Sequence, residues 1–378
     1  METEVEKGAG LMKKIALAGY YGFDNAGDEA ILAAIISSLR QRIDEEVEIT
    51  VLSANPARTE KLYNVSAVDR FSLIEIITVF YQADLLLLGG GSLLQDTTSQ
   101  RSLLYYLGLV YLAHKINLSV VCYAQGVGPI TSRLGKSLVP KVLNSAARLT
   151  VRDEESKELL VKLGVRKPIE VTVDPVFNLS LVSEERKQEI ITAESLELKP
   201  PVIGVSVRHW TAESNDYLSV LAGVLDRINH KLEGGILFLP LHYPHDLTAS
   251  RKVKEQMETE TKLLTGKYHP REIAGLFGEC ELVIGVRLHS LIFAAVNYVP
   301  LVGISYDPKV DSLLKRLDLR SAGRVTDLSA TELYNQVLDI WQNRGQAEEK
   351  LRRKAVEMQQ IAYDDIDSVR KLLKDRSD

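Results

Sequence analysis

The richest chemistry in this chain is offered by Gly285-Val286-Arg287-Leu288-His289-Ser290, which follows the apolar run Leu282-Val283-Ile284 and precedes Leu291-Ile292-Phe293-Ala294-Ala295. An apolar run of strand length, a short polar break and a helix-forming run read as strand, loop and helix, so Arg287 and His289 sit where a parallel strand ends. Arg287 carries a permanent planar charge suited to a carboxylate or phosphate, and His289 can gain or lose a proton near neutral pH. Together they point to an anionic substrate and to acid or base work. The plainer reading is an ion-pair arginine beside a hydrogen-bonded structural histidine, and the rest of the chain must decide between the two.

Other candidates also fall where strands end. Arg208-His209-Trp210 follows Val202-Ile203-Gly204-Val205-Ser206-Val207, and Lys309 follows Leu301-Val302-Gly303-Ile304. Arg152 follows Leu149-Thr150-Val151 and has Asp153 and Glu155 as local ion-pair alternatives. Asp84-Leu85-Leu86-Leu87-Leu88, apolar throughout its core, runs directly into Gly89-Gly90-Gly91-Ser92. These glycines let a backbone approach a ligand or a helix closely, but neither Walker spacing nor a following lysine is present. Tyr20 to Glu29 joins the first strand to the first helix, with Asp24 or Asn25 as cap and Asp28 and Glu29 in the first turn. It lacks the dinucleotide fingerprint, and its acids would repel a phosphate, so a polar uncharged ligand such as a sugar fits it better. His242, His245 and Asp246 are metal-ligand types, but two prolines in the loop and no fourth ligand favour a polar loop over a metal site.

Positioning these residues requires two successive βα arrays. In the first, strands at about 14–19, 47–52, 84–88, 118–124 and 149–151 alternate with helices at about 71–82, 100–116 and 133–146. A Glu-, Ser- and Lys-rich stretch ends at Pro200-Pro201, and the pattern restarts with strands at 202–207, 235–239, 281–284 and 300–304 and a helix at about 215–231. From about 329 the chain is helical and charged. The expected organisation is a flexible leader 1–12, an acceptor-side Rossmann-like domain 13–178, a linker 179–200, a donor-side Rossmann-like domain 201–345 and a helical segment 346–378. The fold class is α/β: two doubly wound domains facing a cleft in the GT-B manner, with the C-terminal helices packing back on the first domain.

Composition limits the alternatives. A chain of 378 residues exceeds what one core usually supports, and 45% apolar with 26% charged residues is ordinary for a globular protein. A formal net charge of -5 argues against a general nucleic-acid binder. Cys122 and Cys280, each in an apolar run, fit buried free thiols in a reducing compartment. No apolar run reaches bilayer-spanning length and the N-terminus lacks a signal-like pattern, so a cytoplasmic location is expected.

Five motifs in order, Gly19 to Glu29, Leu88 to Asp96, Ala124 to Pro129, Val151 to Ser156 and Gly285 to Ser290, resemble the polysaccharide pyruvyl transferase family. The likeness covers roughly residues 13–325 and is greatest to members that pyruvylate N-acetylmannosamine in secondary cell-wall polymers. It implies transfer of pyruvate from phosphoenolpyruvate to two hydroxyls of one sugar, giving a cyclic ketal and phosphate. Phosphoenolpyruvate is then a co-substrate, and no metal or cofactor is implied. The implied acceptor is a lipid-linked saccharide at the cytoplasmic membrane face, where peripheral contact is expected, and the product would anchor surface proteins through S-layer homology domains.

The chemistry independently suits the residues. Phosphoenolpyruvate brings a carboxylate and a phosphate together and so needs several cations; its methylene must gain a proton while a hydroxyl loses one. His289 is expected as general acid, with Arg287 and Arg208 on the donor's charges. Lys309 and Arg152, by the resemblance, complete the donor clamp. Tyr21 and Phe23 are expected to stack on the acceptor, with Asn25, Asp28, Gly90, Gly91 and Ser92 around it. A GT-B nucleotide-sugar glycosyltransferase is the same-fold rival, and a non-catalytic saccharide-binding protein is the rival from another class. Oligomeric state is not legible.

Overall fold

The computed structural model describes residues 12–43, 46–97, 99–210 and 217–374. The expected leader therefore lies, except for Met12, outside the described residues, as do the first two positions of the helix expected at about 215. The chain divides into two compact units. One takes in the described residues up to Phe23, Ile35–Thr172 and those from Tyr363 onward; the other takes in Asp24–Ala34 and Val173–Ala362.

The first unit is built on strands β1 (Lys13–Ala18), β2 (Val47–Ser53), β3 (Ser66–Asp69), β4 (Leu85–Leu88), β5 (Gly91–Leu94), β6 (Ser119–Val127), β7 (Arg148–Val151) and β8 (Ile169–Val171). They order as β3-β2-β1-β4-β6-β7-β8, with β5 pairing β6, and their pairings are parallel. The four leucines of β4 are all buried, as a strand covered by helices on both faces requires. The second unit carries β9 (Val202–Ser206), β10 (Gly235–Phe238), β11 (Thr261–Leu263), β12 (Leu282–Gly285) and β13 (Leu301–Gly303). Their order, β11-β10-β9-β12-β13, is again parallel throughout. The α/β class with two Rossmann-like sheets expected from the apolar runs is therefore observed.

Each sheet has a switch point where successive connections diverge, β1/β4 in the first and β9/β12 in the second, and ligands of such sheets bind beyond the strand ends at these points. Arg208 leaves the end of β9 and Arg287 the end of β12, so two of the expected cations flank one switch point.

Short elements escaped the reading of the runs, among them one helix and two strands of the first unit. Helix Pro56–Tyr63 buries only Thr59 and Tyr63, and β3, an edge strand, is half-exposed along its four residues, so neither carries an apolar signature. The glycine turn after β4 ends one residue early, because Gly91 already opens β5 and pairs with Gln125.

Only the end of the last helix, Arg344–Lys374, belongs to the first unit, from Tyr363; its earlier residues and helix Ala330–Gln342 group with the second unit, and not with the first as expected of the C-terminal helices. Asp365, 4% exposed, takes an ion pair from Arg148 and a 3.3 Å hydrogen bond from the Thr150 hydroxyl, and Asp367 accepts from Arg42 at 2.5 and 3.1 Å. Thr150 Oγ1 in turn accepts from the Ala124 amide at 2.7 Å, at the point where β6 slips register and Ala124 takes a left-handed φ of 49°. A non-glycine residue persists there only when its surroundings over-determine it.

Both cysteines are buried and free, and burial pushes the Cys122 thiol up to about 12. No helix among the described residues is long and apolar enough to cross a membrane.

Two predictions follow from these contacts. Asp365→Ala strands a buried guanidinium that retains only the exposed Glu170 as its carboxylate partner. It should lower unfolding stability by about 2–4 kcal/mol in urea titration, and a loss below about 1 kcal/mol would show that the helix end is dispensable. Asp96 accepts from both Thr131 and Ser132 amides at 2.8 Å; burial works against its charge, but these hydrogen bonds hold its carboxyl down at about 2. Because the folded value lies below the ordinary 3.8, its contribution is complete above that pH and is lost as pH falls through about 2. Denaturation midpoints taken from about pH 5 to about pH 2 should fall less steeply in Asp96→Asn than in the wild type.

Candidate active site

The second unit's site is built on two strand ends and the piece Asp24–Ala34. Helix Leu288–Val296 begins just past β12, which places His289 in its first turn and Arg287 at its cap. His289 Nε2 lies 3.6 Å from Asp174 Oδ2, with the two side chains 14% and 4% exposed. That is ion-pair range and beyond a hydrogen bond. Asp174 is held in turn because its Oδ1 caps the turn Pro175–Asn178, accepting from the Val176 amide at 3.2 Å.

The other edge of the imidazole rests on Gly27. A β-carbon at that glycine would lie 2.1 Å from His289 Nδ1, so the ring occupies space that only glycine leaves open. The local backbone is set by Asn25, whose Oδ1 accepts from the Gly27 amide at 3.2 Å and whose Nδ2 donates to Asp28 at 2.5 Å. This is the helix cap expected from the sequence. It belongs, however, to the second unit and not to the first as the acceptor-side assignment of Asn25 and Asp28 supposed. The cause is pairing: Ala26 donates to the Leu241 carbonyl at 2.7 Å, Asn25 bridges antiparallel to His242, and Lys267 pairs with Asp24 at 2.6 Å.

Arg287 is not an open clamp. Its Nε and Nη2 donate to the fully buried Asp246 at 2.6 and 2.5 Å in a two-pronged pair. Burial opposes the guanidinium's charge and the Asp246 carboxylate more than offsets it, so its pKa is raised. The expectation that the Arg287 fork grips an anion directly is therefore corrected: two of its donors are already spent on a carboxylate. Asp246 was visible in the sequence only as part of a metal-like cluster. Among the described residues no group of three or more His, Cys, Asp or Glu is placed to hold a metal.

The open cations are the other two. The Arg208 guanidinium lies 4.2 Å from the Tyr306 ring centre and 5.5 Å from that of Trp210, while Lys309 Nζ lies 5.2 Å from the same Tyr306 ring and 3.4 Å from Asp307. Stacking on an aromatic face orients both cations without neutralising them with a buried acid. Tyr306 is the residue that organises this pair, and sequence reasoning assigned it no role.

In the first unit Arg152, 7% exposed, lies over Gly126, where a β-carbon would come within 2.6 Å of its Nη2, and donates to the Ser92 hydroxyl at 2.9 Å. Asp153 is 3.7 Å from its Nε. Gly90 and Gly91 are buried beside Ser92 at the β4/β5 turn. The stacking role of Tyr21 is overturned. Its side chain is 0% exposed and plugs the β1/β4 switch point, against Gly19 and Gly89, where β-carbons would lie 2.3 and 2.1 Å from its ring and hydroxyl. Phe23 is likewise engaged, stacked on Tyr20 at 4.2 Å with the buried Arg70 guanidinium 5.1 Å from its ring. Arg70 itself donates to the Gly19 carbonyl at 2.9 Å and to the Tyr106 hydroxyl at 3.2 Å. It holds the Tyr20–Phe23 loop, a role that its exposed neighbours in sequence gave no reason to expect.

Residues 25–308 match the family model described as polysaccharide pyruvyl transferase. The chain belongs to the polysaccharide pyruvyl transferase family. That membership makes it a transferase of polysaccharide pyruvylation, and the matched span contains Arg152, Arg208, Arg287 and His289. No curated protein matches the chain. Among solved structures it is similar to a glycosyltransferase from Rickettsia africae, with 12% identity over 96% of this chain and 99% of that one and a TM-score of 0.63. It is similar also to Anabaena HepE in complex with UDP-glucose, with 12% identity over 96% and 98% and a TM-score of 0.60. A third is UDP-GlcNAc 2-epimerase from Neisseria meningitidis bound to UDP-GlcNAc, with 14% identity over 90% and 94% and a TM-score of 0.58. At these identities the likeness shows the fold alone, which is of the GT-B type.

Gly27→Ala should leave folding intact, since the position is helical and alanine favours helices, while displacing the imidazole. Pyruvyl transfer should fall by at least about 10²-fold at an unchanged melting temperature, and activity within about twofold of wild type would show that His289 need not lie where it does.

Proposed function

We propose that this family member transfers pyruvate from phosphoenolpyruvate to two hydroxyls of a sugar, forming a cyclic ketal and releasing phosphate. The observation that carries this reading is the His289 imidazole set beside Asp174 in the unit that also holds the Arg208–Tyr306–Lys309 cation group. A donor with a carboxylate and a phosphate on one carbon needs such cations, and its methylene needs a proton before the adjacent carbon can be attacked.

Arg208 and Lys309 bind the donor's anionic groups. Arg287 contributes its charge and, through Asp246, the shape of the loop. Asn25 and Asp28 meet the acceptor. The acceptor that the motifs favour is N-acetylmannosamine in a lipid-linked precursor of a secondary cell-wall polymer. The enzyme would work in the cytoplasm and meet that lipid at the inner membrane face, and the product would serve S-layer anchoring. The glycosyltransferase alternative rests on fold likeness alone, and no cofactor is assigned.

His289→Ala and His289→Gln, assayed for phosphate release with phosphoenolpyruvate and a synthetic lipid-linked N-acetylmannosaminyl disaccharide, should each lose roughly 10²–10⁴-fold in rate. Full activity in both would remove His289 from the chemistry. Mass spectrometry of the wild-type product should show a gain of pyruvate less one water, and an unchanged disaccharide would eliminate that acceptor.

A further inference from the structure

We propose that His242 is a second catalytic imidazole, the general base that takes the proton of the attacking sugar hydroxyl. This rests on the ketal-forming reaction proposed above and deepens it. His242 lies in the loop after β10, laid along the backbone of Asn25: the two residues form an antiparallel bridge, Ala26 donates to the neighbouring Leu241 carbonyl at 2.7 Å, and Tyr243 donates to the Asp24 carbonyl at 3.4 Å. Two residues further along that same backbone, Gly27 carries His289. One tripeptide thus pairs with the His242 backbone at one end and carries the His289 imidazole at the other.

The loop is held by its peptide groups, which leaves the ring available. The His242 amide donates to Asp246 Oδ2 at 2.9 Å, and the ring meets His245 edge-on at 5.2 Å, but its nitrogens have no hydrogen-bond partner among the described residues. The charged and titratable groups around it are Arg287, Arg208, Asp246 and His245. Burial and the two guanidiniums outweigh Asp246 and bring its pKa below the ordinary imidazole value, which keeps the ring neutral and ready to accept a proton near pH 7.

The proton account needs two such groups. In the first half, protonated His289 gives its proton to the donor's methylene carbon. The first hydroxyl oxygen bonds to the adjacent carbon, and that hydroxyl's proton passes to His242. In the second half, the second hydroxyl bonds to the same carbon as the carbon–oxygen bond to phosphate breaks, its electron pair leaving with the phosphate. His242 returns its proton to the departing phosphate oxygen, and His289 takes the second hydroxyl's proton. Both imidazoles end as they began, two hydroxyl protons have gone to one methyl and one phosphate, and no further reactant is required.

The test is the pH dependence of kcat for His242→Gln beside wild type, measured as phosphate release with phosphoenolpyruvate and the disaccharide, with melting temperature as the folding control. The variant should lose roughly 10²–10⁴-fold in kcat, keep its KM for phosphoenolpyruvate within about twofold, and lose the low-pH limb that wild type shows below the ordinary imidazole range. Retention of that limb, or of more than about a third of kcat, overturns the role. Should the glutamine variant not fold, ring NMR of the wild type decides: the His242 titration must coincide with the kinetic limb, and divergence overturns the proposal. A wild type that releases no phosphate overturns the reaction itself, and that control tells the two failures apart.

Discussion

The Asp246 carboxylate is the contact on which the second unit's site depends. Fully buried, it accepts Arg287 through both oxygens, the His242 amide at 2.9 Å and the Leu241 amide at 3.3 Å. A carboxylate taken out of water costs several kcal/mol, repaid only when the opposite charge is well placed and the remaining lone pairs are satisfied. Here both conditions hold, and the result is that the loop after β10 and the helix start after β12 are tied to one group. Because the loop after β10 also pairs with Asn25 and Ala26, the same carboxylate indirectly sets where Gly27 presses on His289. Arg287 is thereby more a structural cation than a ligand-binding fork.

The first unit solves a different problem. Its switch point, where such folds usually take a ligand, is filled by Tyr21, so its polar groups gather one strand over, at the ends of β4, β5, β6 and β7. Gln125 is the tie there: wholly buried, its side-chain amide donates to the carbonyls of Leu88, Gly89 and Tyr123, while its backbone carbonyl accepts from the Arg152 amide. The left-handed Ala124 beside it is held by Thr150, and Thr150 by Asp365 from the last helix. A run of hydrogen bonds therefore leads from the C-terminal segment to the turn that bears Ser92 and to Arg152.

The fold is shared with epimerases and glycosyltransferases at 11–14% identity, so what distinguishes this chain lies in side chains and not in architecture. A pair of cations sharing one tyrosine ring, an imidazole beside a carboxylate, and a second imidazole among guanidiniums are small features on a common frame. They gather two imidazoles and three cations in the unit that carries the Gly285–Ser290 motif.

From the sequence alone came the two parallel arrays and the position of Arg152, Arg208, Arg287 and His289 just past strand ends, because buried strands announce themselves as apolar runs and polar residues at their ends stand out. The same reading could not see Tyr21 as a plug, since that depends on Gly19 and Gly89 lying across two strands from one another. Nor could it see Arg287 bound to an acid forty-one residues away, or Asn25 and Asp28 grouped with the second unit. Secondary structure follows from residues a few places apart, which the sequence displays directly. Which carboxylate meets which cation, and which ring fills which gap, follows from contacts between distant segments, and only the folded chain decides them.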